Sequence, residues 1–458
     1  MPVFPGERRV PARPVRPSFR DPRFAFLLAG QSVSWVGSWA AAIVLWGFAA
    51  YHFGAGPEAI SVTALCWSGP PVVLTAFTGG LTDRFGPRTM LITGYLCSAA
   101  TSLGMATAGS LVFLDVMAAA CGAARALCSP ASSALPARVV APDDLLAANS
   151  LLGVTASIGQ VAGPLAASVL MAAAGFRTAF VADAVTYLVS VLVVLPLPVL
   201  PLPDEPHEAG AGPAGGVSRL RKVTAGATVV AQDPGLRRVA LARMGVIFTS
   251  GAFLVVEPLY VRRVLDRPPS QFALFEAAIG IGAIVTGLAL PVIRRRLRTT
   301  QPTTLPTIRP TIRPAVRLLA AGAISYGLAA ALYTGTPWLR VAYLGAFAWG
   351  TGGTVFYAVA ATTLQRLAPA GTLGRAAGVI STAESAAESA SMPAAGALVA
   401  VTGLRAGALT LAAVAVAAGA ACLPCRRPGI ARPDGSRRLT AVTGPSSDAV
   451  MPSKEPDI

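Results

Sequence analysis

The chain has 458 residues, of which 54% are hydrophobic and 13% are charged, and its mean hydropathy is +0.62. Soluble domains carry about 25% charged residues, and a soluble core of this length cannot bury so much apolar surface. The composition therefore predicts a helical membrane protein and argues against a secreted enzyme or a cytosolic domain. The formal net charge of +16 does not indicate a nucleic-acid partner, because the basic residues lie mostly in loops and tails between apolar runs.

Apolar runs of about 20 residues recur along the whole chain, and each is long enough to cross about 30 Å of hydrocarbon. They predict an all-α membrane protein of twelve transmembrane helices in two pseudo-symmetric six-helix halves. In chain order the predicted spans are 24–50, 59–81, 89–109, 111–135, 146–173, 178–200, 238–261, 270–293, 315–334, 338–363, 375–400 and 405–424.

The runs and the polar stretches between them divide the chain into five parts. The first is a cytoplasmic tail at 1–23, followed by an N-terminal six-helix half at 24–200. A Pro/Gly-rich cytoplasmic linker at 201–237, with a candidate interfacial helix in its second part, leads to a C-terminal half at 238–424. A Pro/Ser/Arg-rich cytoplasmic tail at 425–458 is predicted to be disordered.

The distribution of basic residues predicts the orientation in the membrane. With twelve crossings, most Lys and Arg residues fall on the same side as both termini. The basic loop residues on the other side are Arg177, Arg262, Arg263, Arg267, Arg340 and Arg405. Because basic loops are retained in the cytoplasm, we expect both termini to be cytoplasmic in a multi-pass protein of the cell membrane.

Landmarks in the first half recur in the second at a spacing of about half the chain. The corresponding residues are Arg138 and Arg366, Pro142 and Pro369, Pro164 and Pro393, and Gly175 and Gly403. Two parallel six-helix repeats place a binding site between the halves near mid-membrane and imply that one half rocks against the other. Chance similarity between two Ala/Gly-rich halves is the alternative.

The loop between helices 2 and 3 reads GGLTDRFGPR and contains Gly79, Asp83, Arg84, Gly86 and Arg88. Gly79 allows close helix packing, and Gly86 turns the chain. The Asp83 carboxylate can cap or pair with an adjacent helix end, while the arginines keep this face in the cytoplasm. The loop could thus act as a latch for one of two conformations, or be a plain turn with topology-setting arginines.

The pattern Gly-x-Leu-x-Asp-Arg-x-Gly-x-Arg resembles the signature loop of the major facilitator superfamily. A degenerate copy follows helix 8, with Pro291 at the acidic position. The resemblance covers about residues 21–425. It implies the twelve-helix fold of that family, a transport function and alternating access, with Asp83 and its loop as the latch.

Helix 5 contains Gly159, Gly163 and Pro164 in the sequence GQVAGPLAAS. This stretch resembles the Gly-x-x-x-Gly-Pro motif of antiporters, and other local sequence resembles the branch of macrolide and siderophore exporters. The two glycines allow close packing and the proline loosens the backbone. We expect this part of helix 5 to pack at the seam between the halves, although generic small-residue packing is the alternative.

Six acidic residues fall within the predicted spans and are candidates for proton coupling, because embedded charges are costly. They are Asp115, Asp183, Glu257, Glu276, Glu384 and Glu388. The first four lie nearer the outer ends, where we expect water to reach them.

Glu384 and Glu388 lie near mid-membrane on one helix face, where two close carboxyls titrate as a pair. We expect them to carry protons or bind a cationic substrate. The alternative is a structural ion pair with Arg125 or Arg243, and Arg125 is itself a coupling candidate.

Helix 1 carries Gln31, Trp35 and Trp39 on one face. An amide followed by two aromatic side chains suits a pocket for a bulky, partly apolar or cationic ligand. Tryptophans that anchor the helix at the lipid or the interface are the alternative.

The sequence contains no phosphate-binding glycine loop, no metal-binding motif and no catalytic cluster. We therefore expect no ATP, no metal, no cofactor and no enzymatic activity. The predicted function is secondary active export of an amphipathic small molecule, such as a drug or secondary metabolite, by proton antiport. The alternatives are an importer or uniporter of a nutrient, and a membrane sensor that does not transport.

Overall fold

The computed structural model describes residues 22–135, 140, 145–196, 227–228, 230–299, 312–367 and 373–423. The two predicted tails, most of the predicted linker and the basic loop that follows helix 8 lie outside the described residues. This includes most of the candidate interfacial helix.

Within the described residues the chain forms twelve long helices, which agrees with the predicted all-α class. Their bounds are α1 Pro22–Gly47, α2 Pro57–Phe85, α3 Pro87–Ala106, α4 Leu111–Ala134, α5 145–174, α6 176–194, α7 Pro234–Arg263, α8 Pro269–Thr299, α9 Ile312–Gly335, α10 Leu339–Leu367, α11 Leu373–Thr402 and α12 Leu404–Cys422. A π-helical turn at Phe48–His52 extends α1.

Corresponding glycines separate the last two helices of each half. Gly175 between α5 and α6 has φ 80° and ψ 179°, and Gly403 between α11 and α12 has φ 83° and ψ 162°. A positive φ is costly for residues with a side chain but not for glycine. The repeat that the sequence predicts is therefore present in the backbone at this landmark.

The helices pair in the same way in both halves. In the first, α4 packs against α2 and α3, while α1 packs against the α5–α6 segment. In the second, α10 packs against α8 and α9, while α7 packs against α11 and α12. The bundle thus consists of two six-helix units with the same internal arrangement.

Nine helical segments of the described chain are long and apolar enough to cross a membrane, and one of them, Leu151–Val194, contains both α5 and α6. The long helices α2 and α11 are not among the nine. Both contribute polar side chains, including Ser68 and Glu388, to the cavity described below.

The two sides of the bundle differ in how the halves meet. We call the side where α1 begins and α12 ends the near side, and the opposite side the far side. Across the seam, α5 packs against α8 and α2 against α11. At the far side the Tyr51 hydroxyl donates a hydrogen bond to the Arg267 carbonyl at 3.0 Å, and the Arg262 guanidinium donates to the Ala50 carbonyl. These contacts close the seam there.

Candidate functional site

A cavity of about 730 Å³ lies between the two halves. Helices of both halves contribute to its wall, as expected for a site between two repeats. Its aromatic lining residues are Trp35, Trp39, Trp46, Trp67, Tyr326, Trp349 and Tyr357, and its charged lining residues are Arg125, Glu257, Glu276 and Glu388. The volume falls within the range of about 300–1,000 Å³ that is typical of small-molecule sites.

Two of the three predicted pocket residues of α1 lie on the cavity wall. Trp35 is 41% exposed and Trp39 lines the wall beside it. Gln31 is not among the lining residues, because its Nε2 atom faces α3 and lies 3.5 Å from the Tyr95 hydroxyl. The three side chains were predicted to face the same pocket. Trp35 and Trp39 do line one cavity, but Gln31 does not, because its amide packs against α3.

Three further tryptophans lie on the wall and were not among the pocket residues that the sequence predicted; Trp46 was instead expected near the outer interface. Trp46 follows Trp39 by two helical turns, a spacing that was available in the sequence. Trp67 and Trp349 come from α2 and α10, and only the packing of the two halves brings them to the same cavity. The indole nitrogens of Trp46 and Trp349 are buried and have no hydrogen-bond partner among the described residues.

Glu384 and Glu388 have different surroundings although they lie one turn apart on α11. Glu384 forms a bidentate ion pair with Arg243 of α7, with distances of 2.5 Å from Nε to Oε1 and 2.9 Å from Nη2 to Oε2. The structural ion pair that the sequence left open as an alternative is therefore present for Glu384. Glu388 instead lines the cavity.

Arg125 of α4 lies on the cavity wall contributed by the first half. Its guanidinium carbon is 4.5 Å from the centroid of the Trp67 ring, which is cation–π distance. Glu388 lies on the wall contributed by the second half. The cavity thus carries one arginine on the wall of the first half and three glutamates, Glu257, Glu276 and Glu388, on the wall of the second half.

Glu257 of α7 and Glu276 of α8 both line the cavity. Glu257 is only 2% exposed, and its Oε1 atom has no partner among the described residues. The expectation that water reaches this carboxyl from the outer end of its helix is wrong, because the closed seam and the surrounding aromatic side chains cover it.

Asp183 and Asp115 lie away from the cavity. Asp183 is 2% exposed between α3 and α6 and accepts a hydrogen bond of 2.6 Å from the Ser102 hydroxyl. Its predicted contact with water is therefore also wrong. Asp115 accepts a hydrogen bond of 2.6 Å from the Thr63 hydroxyl, which links α4 to α2. Both carboxyls thus accept hydrogen bonds from neutral hydroxyl groups, and these bonds connect helices within the first half.

The predicted latch loop joins α2 to α3 through Gly86. This glycine has a φ of 81° and donates its N–H to the Thr82 carbonyl at 2.9 Å. The Arg84 guanidinium lies 5.2 Å from the centroid of the Phe85 ring. The Arg88 guanidinium donates to the Leu195 carbonyl at the end of α6, a contact that the local sequence gave no means to predict.

The structure gives less information about two other residues of the latch loop, Gly79 and Asp83. A methyl group built on Gly79, near the end of α2, would meet no described atom within 4 Å. The side chain of Asp83 lies outside the described part of the chain, so its role as a latch stays a prediction.

The glycines of α5 pack within the first half and not across the seam. A methyl group built on Gly159 would lie 2.7 Å from Cβ of Trp35, and one on Gly163 would lie 2.6 Å from Cβ of Trp39. Pro164 follows inside the same helix. Helix α5 does reach the seam, but through other positions, such as the hydrogen bond of 2.9 Å from the Ser168 hydroxyl to the Ser270 carbonyl. The predicted location of the motif glycines at the seam is therefore wrong.

Comparisons with known proteins agree with this architecture. The chain is 22% identical over 275 residues to the uncharacterized MFS-type transporter YfiS of Bacillus subtilis strain 168, a match that spans 59% of this chain and 64% of the relative. The chain thus spans less than two thirds of that relative's length.

Solved transporter structures share the fold at low sequence identity. A bacterial homologue of the human lysosomal transporter Spinster, in an inward-facing and unoccupied conformation, has a TM-score of 0.65 at 15% identity and covers 88% of this chain and 96% of its own. The nucleoside transporter NupG (D323A mutant) has a TM-score of 0.67 at 13% identity, with coverage of 87% and 98%. A POT family transporter in complex with 5-aminolevulinic acid has a TM-score of 0.64 at 13% identity, with coverage of 87% and 94%.

The sequence profile of the Major Facilitator Superfamily matches residues 27–387, which is most of the chain. Together with the twelve-helix bundle and its repeated halves, this match shows that the chain belongs to the Major Facilitator Superfamily.

Proposed function

We propose that this transporter is a secondary exporter of amphipathic small molecules, with organic cations as its preferred substrates, and that proton antiport drives it. The observation that supports the proposal most directly is the cavity between the halves, whose wall combines tryptophan side chains with carboxyl groups, among them Glu388 on the α11 side. Apolar molecules without charge would need no such carboxylate, and small polar nutrients would need no such aromatic surface.

The chemistry of the wall favours a bulky aromatic cation. Trp35 and Trp39 offer ring faces, and each cation–π contact contributes about 0.5–2 kcal/mol once the cation is desolvated. Glu388 can supply the counter-charge, since among the described residues no cation forms an ion pair with it, although Arg125 lines the same cavity. A ligand that fills this cavity leaves most of its surface covered by protein.

The arrangement of the seam suits alternating access from the near side. Among the described contacts, those that join the halves lie at the far side or at mid-depth, as with Ser68 and Met392, whose Oγ and Sδ atoms are 3.2 Å apart. The basic loops predict that the near side is cytoplasmic. The protein would then bind substrate from the cytoplasm in this conformation and release it after the halves rock.

Import is the alternative direction, and the similarity in fold to a nucleoside transporter does not distinguish it from export. The helix-5 sequence that resembles the antiporter motif favours export. Since the sequence contains no phosphate-binding glycine loop, we expect the energy to come from an ion gradient or from the gradient of the substrate itself. The embedded acids of the cavity favour protons as the ion.

Accumulation of ethidium, an aromatic cation, in an efflux-deficient bacterial host tests the proposal. We expect cells that express the wild-type protein to accumulate severalfold less dye than cells with an empty vector, and a protonophore to abolish the difference. Glu388→Gln should weaken dye binding by about tenfold, since a contact with a charged group contributes about 1.5–3 kcal/mol.

The matched control is Glu58→Gln, because Glu58 is an exposed glutamate at the far end of α2. It should leave efflux unchanged. Higher accumulation with the wild-type protein than with the vector would indicate import. Equal accumulation over a panel of cationic and neutral dyes would contradict export of amphipathic compounds.

A further inference from the structure

We propose that Arg125 and Trp67 form an anion subsite of the cavity, which binds a carboxylate of the substrate. The preferred substrates are then zwitterionic amphiphiles, whose cationic group contacts Glu388 and whose carboxylate contacts Arg125. The inference rests on the proposed function, because it narrows the class of molecules that the same cavity would export.

The first argument is that the Arg125 guanidinium has no protein partner. In the described part of the chain the only ion pair joins Arg243 to Glu384, and no hydrogen bond there has Arg125 as its donor. An arginine side chain carries five N–H donors and stays charged in proteins, and a partly buried charge without a partner is costly. A free guanidinium on the cavity wall therefore indicates a place where an anionic ligand binds.

The buried acids of the same half do not supply that partner. Asp115 and Asp183 accept their hydrogen bonds from neutral hydroxyl groups, those of Thr63 and Ser102. Neither carboxylate forms an ion pair with Arg125. The counter-charge for this guanidinium is therefore left to a molecule inside the cavity.

The second argument is the support that an aromatic ring gives to the guanidinium. Its carbon lies 4.5 Å from the centroid of the Trp67 ring, and Trp67 is only 6% exposed. Arginine stacks on aromatic faces while its N–H donors stay free in the guanidinium plane, where they match the two oxygens of a carboxylate. The ring thus holds the cation in place without occupying any of its donors.

The third argument is a glycine that builds this arrangement. A methyl group on Gly122 of α4 would lie 2.7 Å from the Trp67 carbonyl and 3.3 Å from Cδ of Pro71, both on α2. A glycine at this position lets the two helices come into close contact. Residues three apart on a helix share a face, so the same close approach brings Arg125 to the Trp67 ring.

The fourth argument is the separation of opposite charges on the two walls. Arg125 lies on the wall of the first half and Glu388 on that of the second, and they form no ion pair in this conformation. A simple cation would share the cavity with the charge of Arg125, and repulsion is stronger in a low-dielectric site than in water. A zwitterion pairs with both walls, so the second charge of the ligand turns this repulsion into an attraction.

The lining between the charged groups suits a flat apolar body. The cavity of about 730 Å³ also contains the aromatic side chains of Trp35 and Trp39. Aromatic side chains pack well against flat rings. The combination favours an aromatic molecule that carries an amine-type cation and a carboxylate.

Binding of two matched dyes tests the anion subsite. Rhodamine 110 is a zwitterion with an aromatic cation and a carboxylate, and rhodamine 123 is its methyl ester and therefore a simple cation. Fluorescence anisotropy measures the affinity of the purified full-length protein for each dye. We expect the wild type to bind rhodamine 110 about tenfold more tightly than rhodamine 123, because charge-assisted bonds from arginine to a carboxylate are strong.

Variants of Arg125 separate ligand binding from a structural role. Arg125→Gln should bind the two dyes about equally, and it should bind rhodamine 123 severalfold more tightly than the wild type does, since the repulsion is removed. Tighter binding of one dye also shows that the variant is folded. Arg125→Lys keeps the charge without the planar fork and should retain about threefold preference. The control Glu58→Gln, exposed at the far end of α2, should keep the wild-type preference.

The possible outcomes distinguish the subsite from the proposed function. Wild-type binding of rhodamine 123 that equals or exceeds that of rhodamine 110 would overturn the subsite and leave export of simple organic cations in place. An undiminished preference in Arg125→Gln would overturn the role of Arg125. If the preference depends on Arg125 but cells show no ethidium efflux, the subsite stands and the proposed export fails. If neither Arg125 variant folds, the comparison of the two dyes in the wild type still decides.

Discussion

Helices α2 and α11 pack against each other across the seam between the halves, and their packing differs between the two ends of the pair. At the far end, a methyl group built on Gly396 of α11 would overlap the Ser61 hydroxyl of α2 and lie 2.9 Å from the Pro57 carbonyl. At the near end, a methyl group built on Gly378 of α11, or on Gly79 of α2, meets no described atom within 4 Å. The same pair of helices is thus in backbone contact at one end and separated at the other.

This difference shows how the seam can open while the packing inside each half stays intact. The far end is closed by small residues in close contact and by a few hydrogen bonds to backbone carbonyls, such as the one from Tyr51 to Arg267. Each such bond contributes only about 0.5–1.5 kcal/mol. The interior of each half is held by extensive helix packing and by a bidentate ion pair in the second half. The proposed rocking would break the weaker set of contacts.

The largest effect is expected from Gly396→Val, which forces the far end apart. Overpacking a close contact costs about 1–3 kcal/mol, so the equilibrium between the two conformations should shift by about fivefold to 150-fold. Spin labels at Glu58 and Val401, both exposed at the far ends of α2 and α11, would report a longer distance.

The matched control for that experiment is Gly378→Val at the near end. Its side chain meets open space in this conformation, so the distance between the far-end labels should not increase. An unchanged far-end distance in Gly396→Val would show that this contact does not hold the seam closed.

An effect of similar size in free energy, but on stability and not on the conformational equilibrium, is expected from Gly163→Val. The new side chain would press against Trp39 inside the first half, at a cost of about 1–3 kcal/mol in the free energy of unfolding. Thermal unfolding in detergent measures it. Gly153→Val on the same helix is the control, since a methyl group built on Gly153 meets no described atom within 4 Å. Equal melting temperatures for both variants would contradict the packing described for α5.

The smallest effect is expected from Arg262→Gln at the closed end of the seam. The substitution removes the charged donor to the Ala50 carbonyl and the contact with the Tyr51 ring, whose centroid lies 6.0 Å from the guanidinium carbon. We expect a shift of about 1 kcal/mol, or about fivefold, toward the conformation open at the far side. The same pair of spin labels measures it. A shift as large as that of Gly396→Val would mean that polar contacts, and not packing, close the seam.

The sequence predicted the repeated helices well because hydrophobic runs and glycine positions are local signals. Gly175 and Gly403 were matched as landmarks from spacing alone, and both have the positive φ that separates the last two helices of a half. The tryptophans of α1 were assigned to one face by the helical period. Each of these features is determined by residues that lie within a few helical turns of one another.

The candidate site could be predicted only in part, because its partners are distant in sequence. Glu384 and Glu388 are equivalent by spacing, yet Glu384 bonds Arg243, 141 residues away, and Glu388 faces the cavity. Glu257 and Glu276 gave no sign in the sequence that they would line the same cavity, since they lie on different helices. Gly163 was assigned to the seam from its resemblance to a motif, but its packing partner is Trp39 of the same half.

The amino-acid sequence by itself determined that the chain forms a repeated bundle of long apolar helices and that its signature loop resembles that of the Major Facilitator Superfamily. Hydrophobic burial and backbone geometry act over short stretches, so composition and spacing are enough for these conclusions. Only the tertiary structure decided which embedded acids are neutralised, which aromatic side chains meet in one cavity and which end of the seam is closed. Each of these depends on the distance between side chains of different helices, and the packing of the two halves sets that distance.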